Sequence, residues 1–435
     1  MATRFDPSGP LRGRLRPPAD KSISHRAALI AAMGEGEATI EGYLDAADTR
    51  STLAAVQALG AEVDGASRDR IEETIRVRGV GLRGARPARI DVGNAGTLLR
   101  LLPGWLAGQP QGSWTLDGDD SIRRRPVDRI AAPLGEMGAH LSCREDRLPP
   151  LAVEAAPLKG ISYEMPVASA QVKSCLLFAG LLAEGETWVG EPLRSRDHTE
   201  RMLAAAGAAV TWLEGGVSVL PADALEPGEL AIPADFSSAA FFLLAALLVP
   251  GSEVELPRVG VNPTRTGLLG VLGRMGAEVE VEAEAVGKHG GEPVGTIRAR
   301  AAELRGIEVG GREIPLAIDE LPLIALAACF AEGETTIRDA AELRRKESDR
   351  IATTCEALAA LGATVEARED GMRIEGEGGL RGGAIASHGD HRIAMLGAIA
   401  GLASREGVEV EGMDAAAISY PGFESDLASL LRRSG

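Results

Sequence analysis

Six times along the chain, a short polar head is followed by an apolar run and then by a segment in which apolar and polar residues alternate. The six stretches begin PADKSISHRAALIAAMGEG, NAGTLLRLLPGWLAG, SAQVKSCLLFAGLLAEG, DFSSAAFFLLAALLVPG, DELPLIALAACFAEG and GDHRIAMLGAIAGLA. They recur at spacings of roughly 65–80 residues, the mark of a repeat architecture. Each run is apolar almost all round a helical wheel, which predicts a helix buried on every side rather than laid on a surface. The alternation that follows, as in Glu37–Ala38–Thr39–Ile40 and Glu334–Thr335–Thr336–Ile337, predicts a strand with one face in and one face out.

A second, amphipathic helix often comes next: DTRSTLAAVQALGAEV, PVDRIAAPLGEMGAHL, DHTERMLAAAGAAV, NPTRTGLLGVLGRMGAEVEV and SDRIATTCEALAALGATVEA. Gly60, Gly138, Gly207, Gly276 and Gly362 end these helices, and a strand follows each. The repeat is therefore strand, helix, strand, helix, strand, with one helix fully buried. Six such units are too many for one core, so two lobes of three are expected. The Pro/Gly-rich stretch PADALEPGELAIP reads as a linker and puts the crossing near residues 230–237. If three buried helices run parallel in each lobe, their N-termini emerge on one face, and two opposed faces make a cleft lined by helix starts. Each start presents free N–H groups and about half a positive charge. Such a cleft attracts anions before any side chain is counted.

Composition narrows the partners. A chain of 435 residues suffices for two or three domains with real cores. Apolar content of 45% and charged content of 25% are an ordinary globular balance. The formal net charge of −17 argues against nucleic acid and anionic membrane as partners. A local Arg/Lys cluster still serves a small anion, because distant charges are screened. Cys143, Cys175, Cys329 and Cys355 form no CxxC pair, so neither zinc nor a redox dithiol is indicated. Free buried thiols in a reducing cytoplasm are expected. The opening MATRFDPSGPLRGRLRPP lacks the apolar centre of a secretory signal. The longest apolar run, AAFFLLAALLV at 239–249, is too short to span a bilayer.

The polar heads carry the candidate chemistry. Lys21, Ser22 and Arg26 form the first. Pro17, Pro18 and Ala19 stand where the glycines of a P-loop would be, which excludes that motif; an N-capping Ser beside solvated Lys and Arg is the plain alternative. GNAGT, Gly93 to Thr97, followed by Arg100, opens a helix with small residues that let a ligand near the backbone, and a tight strand-to-helix turn explains it equally. Arg123, Arg124 and Arg125 stand in a row; in an extended segment one or two of them face a cleft. SAQVKS offers Ser169, Gln171 and Lys173, and RSRDHTER offers Arg196, with capping and solvation as the alternative. AIDELPLIALAA puts Asp319 and Glu320 at the start of an apolar helix, where capping alone accounts for them. ELRRKESDRI supplies partners in Lys346, Glu347 and Arg350. The last two are spaced i, i+3 and share a face if helical, which makes Asp319 and Glu347 the acid/base pair. HGDHRIAM offers His388, Asp390, His391 and Arg392. HExxH is absent and no third ligand cluster is visible, so no metal is expected, and Arg392 reads as an anion clamp. Cations at repeat heads with two carboxylates among them suit a site that binds two anions and moves protons. A binding scaffold is the alternative class, but a pure anion binder has no use for Asp319 and Glu347.

From PADKSISHR through GNAGT, ASAQVKS, RDHTE, NPTRTG, DELP, RRKESDR and HGDHRIAM to SYPGFESDL, essentially the whole chain resembles the 5-enolpyruvylshikimate-3-phosphate synthase family (3-phosphoshikimate 1-carboxyvinyltransferases). The resemblance implies an α/β fold. It would be a two-lobed inside-out α/β barrel of six βαβαββ repeats, three per lobe, with helices buried, sheets outside and the active site in the interlobe cleft. It implies one lobe of about 21–231 and another of about 1–20 plus 232–435. It implies transfer of the enolpyruvyl group of phosphoenolpyruvate to the 5-hydroxyl of shikimate 3-phosphate, with release of phosphate, in the shikimate pathway to aromatic amino acids. No cofactor and no metal are implied, and a cytoplasmic monomer is expected.

By the same resemblance, Lys21, Ser22, Arg26, Ser169, Gln171, Arg196, Asp319 and Lys346 hold shikimate 3-phosphate. Lys21, Gly96, Arg125, Gln171, Arg350 and Arg392 hold phosphoenolpyruvate, where glyphosate competes. Asp319 is the base, Glu347 the acid toward the methylene carbon, and Lys21 polarises the bridging oxygen. The related UDP-N-acetylglucosamine enolpyruvyltransferases, the runner-up, carry a Cys in the loop before their RPVD; Asp117 to Arg125 contain none. One departure stands out: Ile418 precedes Ser419, Tyr420 and Pro421, where some family members have Lys.

Overall fold

The computed structural model describes residues 2–67, 70–284 and 291–431. They divide into two compact units. The first is Ala19–Pro233 with Gly291 and Glu292; the second takes the chain up to Pro18, resumes at Ala234 and includes the residues from Pro293 onward. Each unit has its own hydrophobic core.

The order strand, helix, strand, helix, strand, strand runs through Ala88–Asp91, Gly96–Ala107, Ser113–Asp117, Asp128–Glu136, His140–Arg144 and Leu148–Glu154, with a single 3-10 turn, Ile122–Arg124, ahead of the second helix. The first two strands pair in parallel and the rest antiparallel. Sheets of the same order and sense are built around Glu37–Glu41, Thr187–Gly190, Glu253–Gly260 and Glu332–Ile337. A sixth sheet sets Gly383–Ala386 parallel, and Ala2–Phe5 antiparallel, to Val408–Glu411. Three sheets borrow a strand from far along the chain, the sixth taking its own from Ala2–Phe5. Glu229–Ala231 lies parallel to residues 39–41, so part of the stretch that reads as a linker is a strand. Arg12–Arg14 lies parallel to residues 253–255.

The helices patterned as apolar all round are buried: Lys21–Met33, Gly96–Ala107, Ala170–Gly180, Phe236–Leu248, Leu321–Phe330 and His391–Ala403. Every residue of Phe236–Leu248 is buried. Gly96–Ala107 and Ala170–Gly180 come so close that a Cβ on Gly104 would lie 2.0 Å from the Cys175 carbonyl oxygen, so only glycine fits there. The glycines that close the amphipathic helices all have φ between 91° and 107°, a region in which a Cβ is strained.

Four of the buried helices start on a side-chain cap. Asp20 accepts from the Ile23 amide at 2.8 Å, Ser169 from Val172 at 3.4 Å, Asp235 from Ser237 at 2.7 Å and Asp390 from Arg392 at 2.9 Å. The cap of the first helix is thus Asp20, and Ser22 stands inside it, contrary to the capping alternative. Among the described residues, no helix is long and apolar enough to cross a membrane.

Candidate active site

In the first unit the polar heads resolve into small groups of paired side chains. Lys21 opens its helix, and its Nζ lies 3.1 Å from Asp48 Oδ2. Burial pushes the Asp48 carboxyl up, but the charge and hydrogen bond of Lys21 beside it lead the effects that outweigh burial and hold it below the usual carboxylate range. His25 Nδ1 lies 2.6 Å from Thr52 Oγ1. Burial pulls this imidazole down to about 3, so it is neutral at physiological pH.

Arg26 is 3% exposed. It donates from Nε to Thr199 Oγ1 at 2.7 Å, from Nη2 to Ser174 Oγ at 3.0 Å and from Nη1 to the Ser22 carbonyl at 3.0 Å. Burial pulls its guanidinium down to about 10, which leaves it cationic at neutral pH. Next to Ser174, the buried Lys173 Nζ lies 2.8 Å from Glu200 Oε1 and 3.0 Å from Glu191 Oε1. Burial works against the ammonium, yet the two carboxylates outweigh it and raise Lys173 above its ordinary range.

A third group joins two helix starts. Gln171 Oε1 accepts from Arg100 Nη1 at 3.0 Å, and Gln171 Nε2 donates to Thr97 Oγ1 at 3.2 Å. Arg125 Nη2 donates to Asn94 Oδ1 at 3.3 Å and to Ser121 Oγ at 3.2 Å. A Cβ on Gly96 would lie 2.5 Å from Arg125 Nη1 and 3.4 Å from Arg100 Nη1. Gly96 therefore lets both guanidiniums lie over the start of its helix. The row of three arginines differs from expectation, because Ile122–Arg124 is a 3-10 turn and not an extended segment. Arg123 pairs with Asp117 at 2.8 Å on the surface, and Arg125 alone reaches Gly96. Arg196 is half-buried in the loop between Thr187–Gly190 and His198–Ala205.

In the second unit the predicted residues join one network. Asp319 Oδ1 lies 3.3 Å from Lys346 Nζ and 3.3 Å from Arg350 Nη1, and its Oδ2 lies 3.8 Å from Arg392 Nη2. Glu347 Oε2 accepts from Arg350 Nη2 at 2.6 Å. The two do not share a helix face, since Arg350–Ala360 begins after Glu347; the turn ahead of the helix brings the carboxylate back. Arg350 is 1% exposed and also donates to Asp390, from Nε at 2.8 Å and from Nη2 at 3.2 Å. Burial opposes its charge, but Glu347, Asp390 and Asp319 outweigh burial and raise it above the usual range. Asp390 is pushed up by burial and pulled further down by Arg350, so it stays ionised.

Arg392 donates from Nη1 to the Asp319 carbonyl at 2.9 Å and to Glu320 Oε1 at 3.3 Å, and from Nη2 to Ser237 Oγ at 2.9 Å. Buried Glu320 also accepts from Arg265 Nη1 at 3.2 Å and from the Ser237 hydroxyl. Glu320 stands at the N-cap position of Leu321–Phe330, but its side chain makes no capping hydrogen bond. For Glu320 the capping account gives way to ion pairing, and Asp319 is ion-paired as well.

Sequence reading missed the partners that hold these groups: Asp48, Glu191, Glu200, Arg265, Glu320 as an ion-pair partner, and Asp390 as the clamp on Arg350. Arg265 lies inside the quoted NPTRTG, and Asp390 beside the two histidines that draw attention to HGDHRIAM. Ile418 packs against the hydrophobic core of the second unit.

Comparisons with known proteins agree over the full length. A family model described as EPSP synthase (3-phosphoshikimate 1-carboxyvinyltransferase) matches residues 5–427. The chain is 49% identical over 426 residues to a 3-phosphoshikimate 1-carboxyvinyltransferase of Alkalilimnicola ehrlichii, covering 97% of this chain and 94% of the relative. It is 50% identical over 432 residues to the protein of that name in Gloeobacter violaceus, covering 98% of each. The solved EPSP synthase of Acinetobacter baumannii superposes with a TM-score of 0.87 at 40% identity, over 99% of this chain and 98% of the other. The enolpyruvyl transferase NikO of Streptomyces tendae, 18% identical with a TM-score of 0.75 over 99% and 97% of the chains, shares the fold.

Proposed function

The chain belongs to the EPSP synthase (3-phosphoshikimate 1-carboxyvinyltransferase) family, and from that premise we propose how its residues carry out the family's reaction. The enzyme transfers the enolpyruvyl group of phosphoenolpyruvate to the 5-hydroxyl of shikimate 3-phosphate and releases phosphate, a step of the shikimate pathway. The observation that carries the residue assignment is the setting of Asp319, a carboxylate among Lys346, Arg350 and Arg392 with Glu347 on the same Arg350. Cations so arranged suit two anionic substrates, and the carboxylates suit a reaction that takes a proton from a hydroxyl and gives one to a methylene carbon.

In this reading Lys21, Ser22, Arg26, Ser169, Gln171, Arg196, Asp319 and Lys346 hold shikimate 3-phosphate. Lys21, Gly96, Arg125, Gln171, Arg350 and Arg392 hold phosphoenolpyruvate, the position at which glyphosate competes. Asp319 takes the proton of the hydroxyl. An anion arriving on Arg350 competes with Glu347 for the guanidinium, and a carboxyl released from that pair can deliver a proton to the methylene carbon. Lys21 polarises the bridging oxygen as phosphate leaves the tetrahedral adduct, and the methyl group of that adduct gives its added proton back to Glu347, which restores the carbon–carbon double bond of the product. The burial of six helices supports the finer fold reading, an inside-out barrel of βαβαββ repeats. All four cysteines are unpaired, which fits a reducing cytoplasm, where we place the enzyme as a monomer. Phosphate release, measured with each substrate alone and with both, tests the function. Release only with both is expected. Glu347→Gln and Asp319→Asn are each expected to lower kcat by about 10²–10⁴-fold; wild-type turnover in either removes that residue from the acid/base pair.

A further inference from the structure

Lys173 has no part in the reading above, yet among the described residues of the first unit it is the one buried lysine, 1% exposed on a helix whose other inward residues are mostly apolar. A buried ion cluster roughly breaks even against well-packed apolar residues of similar volume. Met or Leu would fill this position without taking an ammonium out of water. An ammonium at such a position calls for a use, and the contacts on either side supply one.

Two rungs connect Ala170–Gly180 with His198–Ala205. Lys173 Nζ meets Glu200 Oε1 at 2.8 Å, and one residue on, Ser174 Oγ meets Thr199 Oγ1 at 2.6 Å. Arg26 is bonded to the second rung at both ends, to Thr199 at 2.7 Å and to Ser174 at 3.0 Å. The same ammonium meets Glu191 Oε1 at 3.0 Å. The other oxygen of Glu191 accepts from the Ser195 hydroxyl at 2.6 Å and from the Ser195 amide at 3.1 Å. That carboxylate thus ties down the loop immediately before Arg196.

We propose that Lys173 is a positioning residue for the two arginines assigned to shikimate 3-phosphate. Through Glu200 it fixes the helix turn that holds Arg26, and through Glu191 it fixes the loop that carries Arg196. The inference rests on the assignment of Arg26 and Arg196 made above. Phosphoenolpyruvate, assigned to other side chains apart from Lys21 and Gln171, is left nearly unaffected. A role in stability alone would weaken both substrates or neither.

Calorimetric titration of shikimate 3-phosphate into the wild-type enzyme sets the reference, and absence of binding there would defeat the functional reading rather than this one. Lys173→Met and Glu191→Gln are then made in the wild-type and Arg196→Ala backgrounds. Each is expected to raise the Kd and the KM for shikimate 3-phosphate about tenfold in the wild-type background, the order of a one-step coupled pair. The KM for phosphoenolpyruvate should stay within about twofold. In the Arg196→Ala background, Glu191→Gln should cost less than about twofold, because its effect runs through the missing arginine. Equal losses in both backgrounds, or an unchanged Kd in a folded Lys173→Met enzyme, overturn the proposal. Should Lys173→Met fail to fold with two buried carboxylates left unpaired, the Glu191→Gln cycle decides by itself.

Discussion

Two residues show how a single side chain sets a measurable property here. At Gly96, an added methyl would lie 2.5 Å from Arg125 Nη1. The obstacle is the far end of a flexible side chain, so Gly96→Ala should fold normally and displace the guanidinium. The expected result is a KM for phosphoenolpyruvate raised about tenfold, the equivalent of one charge-assisted hydrogen bond of ~1.5 kcal/mol, together with weakened inhibition by glyphosate. Steady-state kinetics check both, and an unchanged KM would remove Gly96 from the phosphoenolpyruvate subsite. At His25, burial lowers the pKa from its ordinary 6.5 to about 3. The unfolded chain therefore binds a proton that the folded chain refuses between those values. Stability is full above pH 6.5 and falls as the pH drops toward 3, by about 1.4 kcal/mol per unit. Urea unfolding at pH 6.5 and 5.0 should show a loss in the wild type about 2 kcal/mol larger than in His25→Gln. Equal pH dependence in the two proteins would mean that His25 is solvated or protonated when folded.

The helix starts are where local structure and chemistry share residues. Asp390 caps His391–Ala403 through the Arg392 amide and also grips the Arg350 guanidinium. Asp390→Asn keeps an acceptor for the cap and loses the charge, whereas Asp390→Ala loses both. Denaturant unfolding is expected to place Asn about 1.5–3 kcal/mol below wild type, the range for a hydrogen bond to a charged group. Ala should fall about 1 kcal/mol lower again for the lost cap. Equal losses would show that the cap contributes nothing beyond the clamp. Elements were legible because their patterns are local. An apolar wheel in Phe236–Leu248 announces burial, and alternation in Glu332–Ile337 announces a strand with two different faces. The candidate site residues were picked out through the motifs of the family. Their partners were not, because ion pairs such as Lys173–Glu200 and Arg265–Glu320 join positions 27 and 55 residues apart, and no local pattern marks them. The shared duty of Asp390 was hidden for the same reason: its cap is local, but Arg350 lies 40 residues earlier.

Across the whole molecule, no local pattern announces the use of distant chain to finish sheets; the family resemblance alone assigns residues 1–20 to the second lobe. Ala2–Phe5 and Arg12–Arg14 are short and carry little alternation, yet they pair with Val408–Glu411 and with residues 253–255 of the second unit. Leu11 and Leu15, on either side of the second strand, are buried in that unit's core. Burial of the two leucines alone is worth about 3–6 kcal/mol, a large share of the 5–15 kcal/mol typical of a domain. Removing this segment also exposes two strand edges, which invites pairing with other chains. The first unit loses nothing, since its own borrowed strand, Glu229–Ala231, lies within Ala19–Pro233. A chain starting at Ala19 is therefore expected to melt in two steps by calorimetry. One transition should stay near the wild-type temperature, and the other should be lowered or replaced by aggregation. Limited proteolysis of the same variant should leave a protected fragment ending near Pro233 while residues beyond it are cut. A single transition, shifted as a whole, would mean that the amino-terminal strands stabilise both units equally and that the division of the chain at Pro18 and Pro233 has no thermodynamic counterpart.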